Sequence, residues 1–584
     1  MEWSLGHTER VTSVLHDKLV IRVALAKWRP SPYASQAFRA GFPSPETNML
    51  SPRPSRANVQ SRARSNQRLR IGIIDIVENS PRPGLYGRLM NANFASIMPQ
   101  SIAVWCEQAG HQVHLVCYTG YEDLLAEFPE NYDMVFIGAF TTAAHLSYAL
   151  STLFRSRGAV TVLGGPHARC YPEDAQRYFD YVVGFTDKSV IEEILADRGR
   201  HRPFGRYLAA ERQPSELPLL EERWKFVSPT LDKAPWVKFV PMLGSLGCPY
   251  TCSFCIDSTV EYQPMGFDRL RQDLRFLLTK MKDPIVGWHD PNFGVRFDDY
   301  MDAIEESVPP NRMRHIAESS LSLLSEAHLK RLQRNGFQAI LPGIESWYEM
   351  GNKAKTRKTG MEKVKQVAEH VNLIMRYVPY VQTNFVLGMD SDEGPEPFEL
   401  TKRFLDLAPG AFPAYSLLSA FGRAAPLNLE YQRSGRVLPF PFGTLDNNRA
   451  MNVRPLHYEW REFYDGVVGL TAYSFSWKAI ARRFAANRLS IPRWMNVVRA
   501  ISSEGFGRLR YHTEVRRRLD ADPTMLPFLE GETDQVPSFY IERLLSELGP
   551  LAQHVPPGGM EHDPLAYLKS TGGDTTLVSL QGSA

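Results

Sequence analysis

The sequence predicts an α/β chain in three parts: an N-terminal doubly wound, flavodoxin-like sheet, a central partial (β/α)6 barrel, and a helical C-terminal region. Three observations predict it. Between residues 67 and 200, short continuous apolar runs alternate with helical patterns, the signature of a sheet with helices on both faces. From 234 to 425 a second strand and helix series runs with polar motifs at its strand ends, as in a barrel. From 426 to 584 the pattern is helical and aromatic.

In the first series, Leu69 to Ile76 is continuously apolar and reads as a strand buried on both faces. A helix follows from Phe94 to Gly110, its last residue a C-cap glycine. Further strands read at Val113 to Cys117, Met134 to Gly138, Ala159 to Leu163 and Tyr181 to Gly184. Ligands of such sheets bind outside the carboxyl ends of the strands. Those ends carry Asp75 to Asn79, Phe140-Thr141-Thr142 and Gly164-Gly165-Pro166-His167. Residues 201–233, rich in Pro and charge, read as a linker.

The second series places strands at Val240 to Leu246, Ile285 to Trp288, Met313 to Ala317, Ala339 to Pro342, Val381 to Leu387 and Ala414 to Leu418. Barrel chemistry sits at the carboxyl face. There fall Asp290-Pro291-Asn292-Phe293, Glu318-Ser319-Ser320, Gly343-Ile344-Glu345-Ser346 and Gly388-Met389-Asp390. Asp290 and Asn292 read equally as a turn capping the next helix and as groups facing a ligand.

Composition narrows the function classes. With 584 residues and a formal charge of +3, the chain has room for several domains and no global pull toward nucleic acid or membrane. Arg508, Arg510, Arg516, Arg517 and Arg518 read as a solvated face balanced by Glu530, Glu532 and Asp534. Six cysteines, three of them in one loop, fit a reducing, cytoplasmic setting. No apolar run approaches the roughly 20 residues needed to span a bilayer, and no secretory apolar region begins the chain. Residues 1–66 read as disordered, since Trp28 to Gln67 is rich in Pro, Ser and Arg. That segment is either a targeting arm or an extension ahead of Met49.

The most informative loop is Gly247-Cys248-Pro249-Tyr250-Thr251-Cys252-Ser253-Phe254-Cys255, a C-x3-C-x2-C spacing. Thiolates select zinc or iron-sulfur over hard cations. A closed zinc site wants four ligands, and three leave one metal corner open. The loop resembles the signature of the radical S-adenosylmethionine (SAM) superfamily, including the aromatic Phe254 before the third cysteine. The resemblance implies a [4Fe-4S] cluster on Cys248, Cys252 and Cys255, with SAM chelating the fourth iron and cleaved reductively to a 5′-deoxyadenosyl radical. It also implies that Glu345 and Ser346 serve the ribose and methionine of SAM, that the turn ending in Gly388 serves adenine, and that Phe254 lies at the adenine edge.

The N-terminal series resembles the cobalamin-binding domain of one branch of that superfamily. By resemblance, Thr141 or Thr142 and Gly164 with Gly165 approach the nucleotide tail of the corrinoid. The Asp-x-His-x-x-Gly loop that supplies a cobalt ligand in other cobalamin proteins is absent, for the loop reads Asp75-Ile76-Val77-Glu78-Asn79-Ser80. His167 reads as a residue near the tail. Cys106, Cys117 and Cys170 raise a second cluster, as in methylthiotransferases, but their uneven gaps read as small buried hydrophobes. The resemblance implies methylation of an unactivated carbon or phosphorus centre. Its partners would be a small-molecule or natural-product substrate and a low-potential flavodoxin or ferredoxin. Radical cyclisation or rearrangement, with or without cobalamin, and a non-catalytic iron-sulfur scaffold are the alternatives. The sequence singles out no catalytic acid, base or nucleophile.

Overall fold

The computed structural model describes residues 68–80, 95–129, 131–234, 238–348, 358–446 and 448–566. The expectation for residues 1–66 lies outside them.

β1 (Arg70–Ile76) pairs in parallel with β2 (Gln112–Tyr118) on one side and β3 (Met134–Ala139) on the other. β4 (Val160–Gly164), β5 (Tyr181–Val183) and β6 (Arg206–Leu208) follow, giving the order β2-β1-β3-β4-β5-β6. Alternate side chains fill two cores, because successive residues of a strand point to opposite faces. Ile71, Ile73, Met134, Phe136, Val160 and Val162 face the helices Ile97–Gln108 and Lys188–Asp197. Ile74, Ile76, Val135, Ile137 and Leu163 join a core that contains the helix Ala144–Ser156 and runs on into the barrel. This is the expected doubly wound sheet, and its order reverses between β1 and β3, where ligand crevices form.

Residues 201–233 are not a bare linker. They supply β6, in register with β5 from Tyr181↔Arg206 to Val183↔Leu208, and the helix Leu220–Lys233. That strand is Arg206-Tyr207-Leu208, an edge strand with an exposed arginine and no apolar run to mark it. The helix hides behind Pro229 and its charges, although Leu220, Arg223, Phe226, Val227, Thr230 and Leu231 form one buried stripe.

The barrel strands follow in sequence, all parallel: β7 (Phe239–Met242), β10 (Ile285–Trp288), β11 (Arg314–Ala317), β12 (Phe337–Ile340), β14 (Tyr380–Leu387) and β15 (Phe412–Leu417). β13 (Gly343–Glu345) continues the fourth position beyond Leu341-Pro342 and pairs with β14. Pro342 has no N–H to give a ladder, which is where β12 and β13 part. The six positions form the expected partial barrel, open between β7 and β15 among the described residues.

The C-terminal region wraps the barrel flank. Arg436 forms a bidentate pair with Asp390 beyond β14, and Asn452 bonds both backbone groups of Ala420 beyond β15. The helices Trp477–Ala486 and Ser490–Ile501 instead reach the amino ends of β14 and β15. There Arg483 Nε donates to Ala411 O, Asn487 Nδ2 to Gly410 O and Arg499 Nη1 to the Tyr380 hydroxyl. Arg516, Arg517 and Arg518 pair with Asp465, Glu514 and Asp520 rather than with the acids expected from sequence. Among the described residues no helix is long and apolar enough to cross a membrane.

Candidate cluster and cofactor site

The cysteine loop is closed at its base. β8 (Ser245–Leu246) and β9 (Gln263–Pro264) pair antiparallel and pinch off the residues between them. Gly247, at φ +67°, turns the chain into the loop, and a Cβ there would lie 2.7 Å from Val260 O. Only glycine fits both constraints. Within the loop Cys255 N–H donates to Cys252 O at 3.0 Å, and Asp257 N–H reaches Cys255 Sγ at 3.4 Å. Cys248 is buried, while Cys252 and Cys255 are half-buried. Tyr250 bonds Ser322 beyond β11, and Leu427 N–H bonds Ser253 O, so the loop spans the barrel mouth.

Asp290 anchors that base. It accepts from Gly244 N–H at 3.0 Å, from Ser245 Oγ at 2.7 Å and from the Tyr300 hydroxyl. Burial pushes its carboxyl pKa up, against these bonds, which favour the charged form. Its partners lie in the loop base and on Tyr300 rather than at the start of the next helix, so the helix-capping reading is replaced by that of a loop anchor. Asn292 likewise ties loops together, its Oδ1 accepting from Ser320 N–H at 2.9 Å. Glu318 is exposed.

Among the described residues no three Cys, His, Asp or Glu side chains converge as a single metal ion requires. A cluster asks for something else. Its cysteines bind separate irons across a cluster face, so three thiols spread along one loop suit it better than they suit zinc.

Glu345 ends β13 at φ +65°, a conformation uncommon for a residue with a side chain. Its carboxylate folds back over Gly343, occupying the space a side chain there would take. Ser346 is buried and committed locally: its hydroxyl donates to Asp392 at 3.1 Å and accepts from Tyr348 N–H. Gly388, at φ +85°, packs under Met451 and Phe463, with a Cβ only 2.9 Å from the Met451 sulfur. Phe254 is half-buried against the core.

At the other site, Asp75 is buried at the end of β1 and accepts from Ser96 N–H at 2.6 Å. Burial lifts its carboxyl pKa to about 6. Thr141 is buried beside Cys170, whereas Thr142 is half-buried and Phe140 exposed. The two glycines differ. Gly165 has φ +92° and a Cβ would sit 2.8 Å from Ala139 O; at Gly164 a Cβ would meet nothing within 4 Å. His167 is fully buried, its Nε2 2.7 Å from the Tyr148 hydroxyl, and burial with His145 and His562 nearby holds its pKa down to about 3. It is neutral and committed to Tyr148. Cys106 and Cys170 lie in the two different cores and Cys117 beside Asp75, so they share no site.

The sequence gives no sign of what joins the two sites. Arg169, on the short helix Pro166–Cys170 after the glycines, donates from Nη2 to Ile256 O at 2.8 Å and pairs with Asp257 Oδ1 at 3.2 Å. Asp257 is the residue whose N–H reaches Cys255. Tyr171 donates to Ala420 O and Arg423 pairs with Glu173, so the loop beyond β4 is fastened to the barrel exit. The carboxyl ends of the two sheets therefore adjoin.

Compared with solved structures, this architecture is the fold of the apo cobalamin-dependent S-adenosylmethionine radical enzyme OxsB, at TM-score 0.50 and 11% identity, covering 84% of this chain and 79% of that one. In sequence the chain is similar to bacteriochlorophyllide d C-12(1)-methyltransferase of Chlorobaculum tepidum, 23% identical over 51% of this chain and 66% of the relative. It is similar also to the C-8(2)-methyltransferase of the same organism, 30% identical over 25% of this chain and 32% of the relative. Hopanoid C-2 methylase of Rhodopseudomonas palustris is 25% identical, over 50% and 54% of the two chains. The chain thus spans just under two thirds of the first of these relatives and a third of the second. No protein-family model matches it. The fold is thus shared with a cobalamin-dependent S-adenosylmethionine radical enzyme, and the sequence relatives are enzymes named for methyl transfer.

Proposed function

We propose that this chain is a cobalamin-dependent radical SAM methyltransferase acting on an unactivated carbon of a small-molecule or natural-product substrate in the cytoplasm, with reduction by a flavodoxin or ferredoxin. One observation carries the reading: a three-cysteine loop pinned across a barrel mouth is bonded, through Arg169, to the glycine loop of a doubly wound sheet. The three relatives, each named for a carbon position or a C-methylase, support carbon rather than phosphorus.

In this reading Cys248, Cys252 and Cys255 hold a [4Fe-4S] cluster, Phe254, Glu345, Ser346 and Gly388 border SAM, and Thr141, Thr142, Gly164 and Gly165 border the corrinoid. When bound, these groups supply an electron for SAM cleavage and a cobalt that carries a methyl group. The chain's own contribution is placement. Asp290 and Gly247 fix the loop base, and the Asp257 N–H stabilises charge on the Cys255 sulfur. Among the tail residues, Gly165 is exposed and Gly164 and Thr142 are half-buried, while the buried Thr141 holds the backbone behind them. Ser346 acts by shaping its turn, since Asp392 and Tyr348 occupy its hydroxyl.

Assaying 5′-deoxyadenosine and S-adenosylhomocysteine together, anaerobically and under strong reductant, tests the reading. Both products forming with substrate fulfils it. Deoxyadenosine alone would replace it with radical cyclisation or rearrangement. Neither, from protein with an intact cluster, would leave an iron-sulfur scaffold.

A further inference from the structure

The helices Trp477–Ala486 and Ser490–Ile501 form a hairpin whose outer face is unlike the rest of the surface. Trp477 is 68% exposed, Leu489 54% and Ile491 72%. Ala481, Ala485 and Arg488 are also exposed at helical spacing from Trp477, and Phe484, Trp494 and Val498 are half-exposed beside them. Scattered exposed apolar residues need no explanation, but a contiguous apolar face marks an interaction site. At 1.5 Å per residue the first helix alone carries this face over about 15 Å.

Charge indicates what the face meets. From Gly466 to Ser503 the chain has no Asp or Glu, although it carries 64 in all. The same run contains Lys478, Arg482, Arg483, Arg488, Arg493 and Arg499. Three of these are used inward: Arg482 pairs with Asp406, Arg483 is buried under Ala411, and Arg499 pairs with Glu504. Lys478 and Arg488 are exposed and Arg493 is half-exposed, its guanidinium over Phe484. Large apolar side chains ringed by cations, with the acids removed, are the composition of a helix that lies in a membrane interface.

Position agrees with composition. The hairpin is fastened to the amino ends of β14 and β15, whereas the cysteine loop spans the carboxyl ends. A cleft of about 380 Å³ bordered by Met375, Val378, Pro379, Pro409, Arg488 and Leu489 opens next to it. A bilayer seated here would leave the barrel mouth uncovered.

We propose that the outer face of residues 477–498 docks the protein on an anionic lipid surface, with Trp477, Leu489 and Ile491 entering the interface and Lys478, Arg488 and Arg493 meeting the headgroups. This stands apart from the catalytic reading, because it concerns the opposite end of the barrel.

The test is co-sedimentation of the full chain with sucrose-loaded vesicles of phosphatidylcholine alone or with phosphatidylglycerol. Wild-type protein is expected to pellet with the anionic vesicles at least tenfold more than with the neutral ones, and less as salt rises. Ile491→Asp with Leu489→Asp should abolish pelleting, and Lys478→Glu with Arg488→Glu should reduce it at least fivefold, each with an unchanged melting temperature because the residues are exposed. Wild type remaining in the supernatant with anionic vesicles would overturn the proposal, as would pelleting that both variants retain. A concentration-dependent dimer broken by the Ile491 and Leu489 variant, with no vesicle binding, would assign the face to a second copy instead.

Discussion

The carboxyl end of the barrel and the carboxyl end of the N-terminal sheet carry comparable motifs but are built differently. At the barrel, fixed groups hold the loop at its base, namely Asp290, Gly247 and the short β8 and β9 pair, and Cys252 and Cys255 within it are half-buried. At the sheet, half of the motif turns inward. Thr141 is buried, His167 bonds Tyr148, and Gly165, though exposed, has no room for a Cβ beside Ala139, so the reachable surface is Phe140 and Gly165 with the half-buried Thr142 and Gly164. A motif therefore marks a neighbourhood, and burial decides which of its members can touch a ligand.

The comparison breaks most visibly at the cysteines. Cys252→Ala should abolish SAM cleavage, at least a thousandfold in 5′-deoxyadenosine formation, and lose most cluster iron. Next in size is Gly247→Ala, which meets both a positive φ and backbone carbonyls. Iron retention should fall severalfold while the fold persists, since the strain of about 1 to 3 kcal/mol is confined to the loop.

The glycine pair sharpens the contrast at the sheet. Gly165→Ala should lower the melting temperature by several degrees, whereas Gly164→Ala should leave it unchanged and weaken corrinoid retention alone. Equal thermal losses in both would refute the distinction.

Asp75 gives a pH prediction. Its folded pKa of about 6 lies above the 3.8 of an ordinary aspartate, so the protonated form is the one the fold favours. Its contribution is full below pH 3.8 and is lost as pH rises through 6. Asp75→Asn should thus gain on wild type between pH 5 and pH 7.5 by about 1.4 kcal/mol, the remainder of the roughly 3 kcal/mol shift having been lost below pH 5. Melting temperatures at both pH values check this, and a constant difference would contradict it. The smallest effect is expected on the exposed arginine face, where Arg517→Ala should leave melting unchanged, because surface pairs contribute little.

Much of this was legible in the sequence. Mostly apolar runs located β1 to β5, and the recurrence of strand and helix units located the six barrel positions, even where a strand such as β14 alternates buried and half-buried residues. The cysteine spacing located the loop, since its chemistry resides in side chains adjacent along the chain. What stayed hidden depends on distant partners. Asp290 bonds residues 45 positions away and Arg169 acts 88 positions away, so neither has a local signature. The β6 strand escaped because Arg206-Tyr207-Leu208 is an edge strand with an exposed arginine, unlike the equally short but fully buried β5.

The most direct measurement is the metal content of protein purified without oxygen, reconstituted with iron and sulfide, incubated with hydroxocobalamin and desalted. Adjoining sites of the proposed kind should retain about four iron and one cobalt per chain. Full iron with no cobalt, and SAM still cleaved, would contradict the account and leave a radical enzyme whose N-terminal sheet holds no corrinoid.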